Sequence, residues 1–122
     1  MAAPSFLILY VKNLHKSIEF YKRVLGMSPA DQAPGFAMFV LPNGLKFALW
    51  LAGTVDPEVE TGGGGAEYGI ALPAKSDLAA SYDAARADAL NVIQPPTEMA
   101  FGLTYVVEDP DRHRIRYYVP AA

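Results

Sequence analysis

Cysteine is absent from all 122 residues. That excludes disulfides, thiolate nucleophiles and zinc–thiolate sites. Histidine is nearly as scarce: with only His15 and His113, one chain cannot assemble a three-histidine metal site. A strong excess of charge of one sign is also lacking. Ten Lys and Arg against thirteen Asp and Glu leave a net charge of −3 with no basic block, which argues against nucleic acid or anionic membrane as a partner. No apolar run approaches the roughly 20 residues needed to span a bilayer. The opening Met1-Ala-Ala-Pro-Ser-Phe6 has neither the charged region nor the apolar stretch of a signal peptide, so a cytoplasmic location is expected. Gly62–Gly65 is not followed by Gly-Lys-Ser/Thr, and no Gly-x-Ser-x-Gly occurs, which excludes a phosphate-binding loop and a nucleophile elbow. Asp56, Glu58 and Glu60 lack the spacing of a calcium loop and read as a solvated acidic linker.

What is present is a hydrophobic share of 52% against 19% charged, enough for one domain with a substantial core, residues 1–122. The chain also carries a weak internal repeat. Phe6–Val11 is a short β-rich run. Asn13 is placed to cap a helix whose Leu14, Ile18, Tyr21 and Leu25 share one face, and Gly26 supplies a left-handed stop. The second half repeats the plan. Tyr68–Leu72 reads as a strand, Ser76 or Asp77 as a cap, and Leu78, Tyr82, Ala85 and Ala89 as the helix face, 64 positions after the first set. Asn91 is the expected left-handed stop there.

Each helix is followed by a hairpin pattern. Phe36–Val40 and Leu45–Leu51 flank Pro42-Asn43-Gly44; Leu103–Val107 and Arg114–Val119 flank Asp109-Pro110-Asp111-Arg112-His113. A short strand is expected before each hairpin, near Met27–Ala33 and Val92–Gln94. The reading is an α+β fold of two βαβββ modules, about 4–52 and 66–120, joined by a Gly-, Pro- and acid-rich linker over 53–65.

Two stretches then carry a family resemblance. Val11-Lys-Asn-Leu-His-Lys-Ser-Ile-Glu-Phe-Tyr21 with Leu25-Gly26 resembles the opening of the vicinal oxygen chelate superfamily; Glu108-Asp-Pro-Asp-Arg-His-Arg-Ile-Arg116 resembles its closing turn and last strand. That superfamily holds glyoxalases, extradiol dioxygenases, fosfomycin-resistance enzymes and bleomycin-binding proteins. The resemblance implies cupped mixed sheets, the glyoxalase/bleomycin resistance fold, and in the family's enzymes a divalent metal held from three inward strand positions. Those positions are Phe6, Glu67 and Arg116 in this chain. Phenylalanine cannot ligate, a guanidinium offers no lone pair, and its charge repels a dication. The expectation is no metal, no cofactor and no catalytic residue. Arg116 then has three readings: it pairs with Glu67 in the metal's place, it holds a ligand carboxylate, or it is an unpaired strand-end arginine.

A narrower likeness runs through Phe47-Ala-Leu-Trp50, Gly53, Pro57, Glu67-Tyr-Gly-Ile-Ala-Leu-Pro73, Phe101-Gly102 and the Arg116 strand. These resemble metal-free proteins that confer resistance to phenazine antibiotics by trapping a planar tricyclic acid at a homodimer interface. The resemblance implies a binding protein that sequesters a planar aromatic antibiotic or metabolite without modifying it. Trp50 becomes the stacking platform, against the plainer reading of a core tryptophan. Phe101, Gly102, Arg116, Glu67, Phe39 and Tyr105 complete the candidate ligand site, with Phe36 and Met38 as further pocket candidates. Two incomplete cups capped by a symmetric partner imply a homodimer with pockets at the interface, with pairing of the two modules within one chain as the alternative. The alternative is a glyoxalase-like lyase, isomerase or transferase that uses a non-standard metal site or Glu67 as base. Arg112 stands where the family's turn has Gly, so the last hairpin is expected to be rebuilt there. His113 is expected to make a structural hydrogen bond, and His15 to face solvent.

Overall fold

Among the described residues, eight strands and two helices follow one another in an order that repeats once. In the computed structural model, which describes residues 2–122, they are β1 (Phe6–Val11), α1 (Leu14–Leu25), β2 (Asp31–Ala33), β3 (Phe36–Val40) and β4 (Lys46–Leu51). After a short 3-10 turn at Ala52–Thr54 come β5 (Glu67–Ala71), α2 (Lys75–Ala87), β6 (Asn91–Met99), β7 (Gly102–Glu108) and β8 (Arg114–Pro120). The chain divides into two compact units between Gly63 and Gly64, inside the expected linker. Among the described residues no helix is long and apolar enough to cross a membrane.

The first unit is a four-stranded sheet in the order β1-β4-β3-β2, with β1 and β4 parallel and the other pairs antiparallel. Helix α1 is punctuated as its residues dictate: Asn13 Oδ1 accepts from Lys16 N at 3.1 Å, and Gly26 closes it at φ +64°. Because side chains alternate along a strand, the register sorts the sheet into two faces. Leu9, Val11, Ala37, Phe39, Phe47 and Leu49 are buried on the helix side, where the Tyr21 ring lies 4.9 Å from Phe47. Each large apolar side chain so buried contributes roughly 2 kcal/mol. The opposite face carries Phe6, Ile8, Tyr10, Phe36, Met38, Ala48 and Trp50.

The second unit repeats the topology as β5-β8-β7-β6, with β5 and β8 parallel. Its helix side is formed by Tyr105, Val107, Ile115 and Tyr117 together with Leu78 and Ala85 of α2, all buried. The repeat has a different register from the one helix periodicity suggests. Phe6 to Glu67 and Leu14 to Lys75 is the same step of 61 residues, so Tyr21 corresponds to Tyr82 and not to Ala85. A slip of three residues is nearly one helical turn and keeps the same apolar face, which is why periodicity alone mistakes it.

Three further expectations are corrected. Ala74, not Ser76 or Asp77, occupies the N-cap of α2 and makes no side-chain cap; Asp77 lies in the first turn, where its charge complements the helix dipole. The left-handed residue after α2 is Ala89 at φ +56°, while Asn91 opens β6 and donates its amide to Glu108 at 2.6 Å. Strand β6 runs on to Met99 through Pro95 and Pro96. It is an edge strand with register shifts at Val92/Gln94 and Gln94/Thr97, where proline's missing N–H costs no ladder bond.

Candidate functional site

The open face of the second unit centres on Arg116. Position three of β8 places its side chain opposite Val106 on β7 and Gly69 on β5, away from α2. Arg116 Nε donates to Glu67 Oε2 at 2.9 Å and Nη2 to Oε1 at 3.4 Å. Nη1 donates to Gln94 Oε1 at 3.1 Å and Thr104 Oγ1 at 3.3 Å, and lies 4.0 Å from Met99 Sδ. The guanidinium carbon sits 5.7 Å from the centre of the Phe101 ring, within cation–π range. Of the three readings of Arg116, pairing with Glu67 is the arrangement observed. The fork geometry also leaves few donors over for a ligand carboxylate.

Beside it lies an aromatic pair of the candidate Phe101 with Tyr118, a residue that strand alternation alone reads as more often core than contact. Tyr118, two residues past Arg116 on the same face, meets Phe101 ring to ring at 6.3 Å and 76°. Gly69 makes room for it, since a Cβ there would stand 3.1 Å from Tyr118 Cε1. The signal was available as period-two spacing from Arg116. Gln94 and Thr104 carried no comparable signal, because their approach depends on the register of β6 and β7.

The open face of the first unit is apolar. Trp50 is half-buried, with its ring 6.0 Å from Phe36 and nearly perpendicular at 86°. Tyr10 is its partner on β1, and Met38 pairs Ala48 one step along. Phe6 and Ile8 extend the surface at 42% and 39% exposure, and Lys46 Nζ lies 5.9 Å from the Phe6 ring. Phe36 and Met38 thus share the face of Trp50.

Phe39 and Tyr105 do not reach either open face. Phe39 pairs Phe47 on the helix side of the first sheet and is wholly buried, with the two rings 6.4 Å apart. Tyr105 pairs Tyr117 on the helix side of the second; the rings stack at 4.8 Å and 9°, and the Tyr105 hydroxyl bonds Ser81 Oγ at 2.5 Å. Burial pushes both phenols above the ordinary tyrosine range; the Ser81 bond moderates this for Tyr105, and neighbouring Tyr105 adds to it for Tyr117. Gly102 is buried for a backbone reason: a Cβ there would collide with the Val119 carbonyl. It holds the turn on which Phe101 stands, and the Phe101 carbonyl accepts from Ala121 N at 2.8 Å.

The last hairpin is not rebuilt at Arg112. That residue takes φ +70°, the left-handed conformation of a glycine. Asp109 locks the turn: Oδ1 accepts from Asp111 N at 2.8 Å and His113 N at 2.9 Å, and Oδ2 lies 2.7 Å from His113 Nδ1. His113 therefore makes the structural hydrogen bond expected of it, and His15 is exposed.

The three positions that the family resemblance assigns to a divalent metal, Phe6, Glu67 and Arg116, do not fit one in this chain. They supply a phenyl ring, a guanidinium and one carboxylate whose two oxygens already face that guanidinium. Among the described residues no group of three or more His, Asp or Glu side chains is placed to hold a metal ion.

Comparison with known proteins gives a consistent result. A model of the glyoxalase/bleomycin resistance protein/dioxygenase superfamily matches residues 4–117. The chain is 30% identical over 116 residues to the phenazine antibiotic resistance protein EhpR of Enterobacter agglomerans, covering 93% of this chain and 88% of that one. A protein from Agrobacterium tumefaciens, solved by solution NMR, superimposes with a TM-score of 0.86 at 38% identity over the full length of both chains. A glyoxalase/bleomycin resistance protein/dioxygenase from Nocardioides superimposes at 0.84 and 24% identity, covering 98% of this chain and 84% of that one.

Proposed function

The chain belongs to the glyoxalase/bleomycin resistance protein/dioxygenase superfamily, and from that membership we propose that it sequesters a planar aromatic antibiotic or metabolite of the phenazine kind without altering it. The observation that carries this reading is Trp50, standing perpendicular to Phe36 on an open apolar sheet face. A flat indole on such a face offers stacking worth about 1–3 kcal/mol by analogy with nucleobases. The likeness to EhpR supports the ligand class and a role in antibiotic resistance.

Sequestration needs tight, stoichiometric binding and no catalytic group. Glu67 is a poor general base here, because Arg116 occupies both of its oxygens. In this reading the protein is a metal-free cytoplasmic homodimer that holds its ligand where two protomers meet.

The test is a titration with phenazine-1-carboxylate followed by Trp50 emission, beside a Trp50→Phe control and a chelator-treated sample. Bound ligand is then released and weighed by mass spectrometry. Saturable quenching indifferent to chelator, with ligand returned at its original mass, is the expected result. A flat titration, or a ligand returned altered in catalytic amount, overturns the proposal.

A further inference from the structure

We infer that the second unit carries an oxyanion site in the cleft between the turn before β5 and the Asp109–His113 turn. The cleft, about 450 Å³, is lined by Gly65, Ala66, Glu67, Glu108, Arg112 and Arg114. Its two carboxylates are already engaged. Glu67 faces Arg116 with both oxygens, and Glu108 accepts from the Asn91 amide at 2.6 Å. Its two arginines are not: neither side chain makes a hydrogen bond or ion pair among the described residues. Within the lining two guanidinium groups stand against two carboxylates, and with Glu67 held by Arg116 only Glu108 is left to balance Arg112 and Arg114.

The backbone holds these cations in place. Arg112 N donates to Asp109 O at 3.0 Å and Arg114 N to Ala66 O at 2.9 Å, which ties the two walls of the cleft together. Both side chains of the Asp109–His113 clamp below are at most 3% exposed. Arg112 adopts the left-handed conformation where glycine would be free of strain. A strained arginine on a locked turn, aimed at a cleft with a second free arginine, suits bidentate recognition of a carboxylate or a phosphate.

The experiment uses the full ¹⁵N-labelled chain, titrated in parallel with inorganic phosphate and with benzoate at constant ionic strength, against a sodium chloride control. Saturating shifts of the Gly65, Arg112 and Arg114 amide signals beyond the chloride control are expected, and the probe that produces them tells phosphate from carboxylate. Arg112→Gly and Arg114→Gln should each weaken binding by roughly tenfold, as for loss of a charged hydrogen bond. Arg112→Gly relieves a strained backbone and so folds. Shifts no larger than with chloride, or an affinity unchanged in the double variant, overturn the site. This outcome is independent of the Trp50 titration, which reports on the other unit.

Discussion

Arg116 sits astride Glu67, with Nε and Nη2 facing the two carboxylate oxygens at 2.9 and 3.4 Å. The pair puts a fixed, permanently charged group at positions that the family resemblance assigns to a dication's ligands. It also balances the one carboxylate left at the metal positions. Glu67 and Arg116 side chains are 39% and 20% exposed, so solvent screens the attraction and its net contribution is modest.

A double-mutant cycle on Arg116→Met and Glu67→Gln should therefore return a coupling of about 1 kcal/mol or less in urea unfolding. The single Arg116→Met variant should lose somewhat more than the coupling, because Gln94 and Thr104 also lose their donor. A coupling of several kcal/mol would show that the pair is far less solvated than its exposure indicates.

Trp50→Ala should weaken binding of a planar tricyclic acid by roughly tenfold or more by calorimetry, the stacking contribution being about 1–3 kcal/mol. Its effect on stability should be small for a tryptophan, because the ring is only half-buried on an open face. Phe39→Ala is the contrasting variant. It should cost about 3–5 kcal/mol of stability by opening a cavity in the helix-side core, with its effect on binding following from unfolding alone.

The contrast between these residues also shows how much was legible beforehand. The bounds of β1 follow from an uninterrupted apolar run, and α1 from Asn13 and Gly26, both local signals. The start of α2 had no such signal, since Ala74 carries no capping oxygen. Pro95-Pro96 reads as a break, and only its position on a sheet edge lets β6 continue. Alternation told Phe39 from Met38 and Tyr105 from Thr104 within a strand. Which parity faces the helix depends on the register across each hairpin, and that is set by turn geometry. So Trp50, Phe101, Arg116 and Glu67 fall on open faces, whereas Phe39 and Tyr105 fall in the core.

Arg112→Gly should raise stability by about 1 kcal/mol, because it removes a Cβ from a left-handed position. Thermal unfolding at neutral pH checks this. Gly102→Ala should do the reverse and cost more than about 2 kcal/mol, since its Cβ would meet the Val119 carbonyl and separate the ends of β7 and β8.

Buried Tyr117 makes stability fall in alkali. Desolvation, with Tyr105 close by, raises its folded-state pKa well above the ordinary value of 10.0, and burial raises Tyr105 as well. The folded protein therefore keeps its phenolic protons at a pH where the unfolded chain has lost them. Below about pH 10 both states are protonated and the full stability is present. Above it the unfolded state gains by ionising, and stability declines by about 1.4 kcal/mol per pH unit for each tyrosine so affected. Tyr117→Phe keeps the ring that stacks on Tyr105 at 4.8 Å and deletes the ionising hydroxyl. Urea midpoints from pH 8 to about pH 11 should fall more gently in this variant than in the parent, while the two agree closely near pH 8. Parallel declines would mean that the alkaline loss comes from other groups and that the Tyr117 phenol ionises without opening the core.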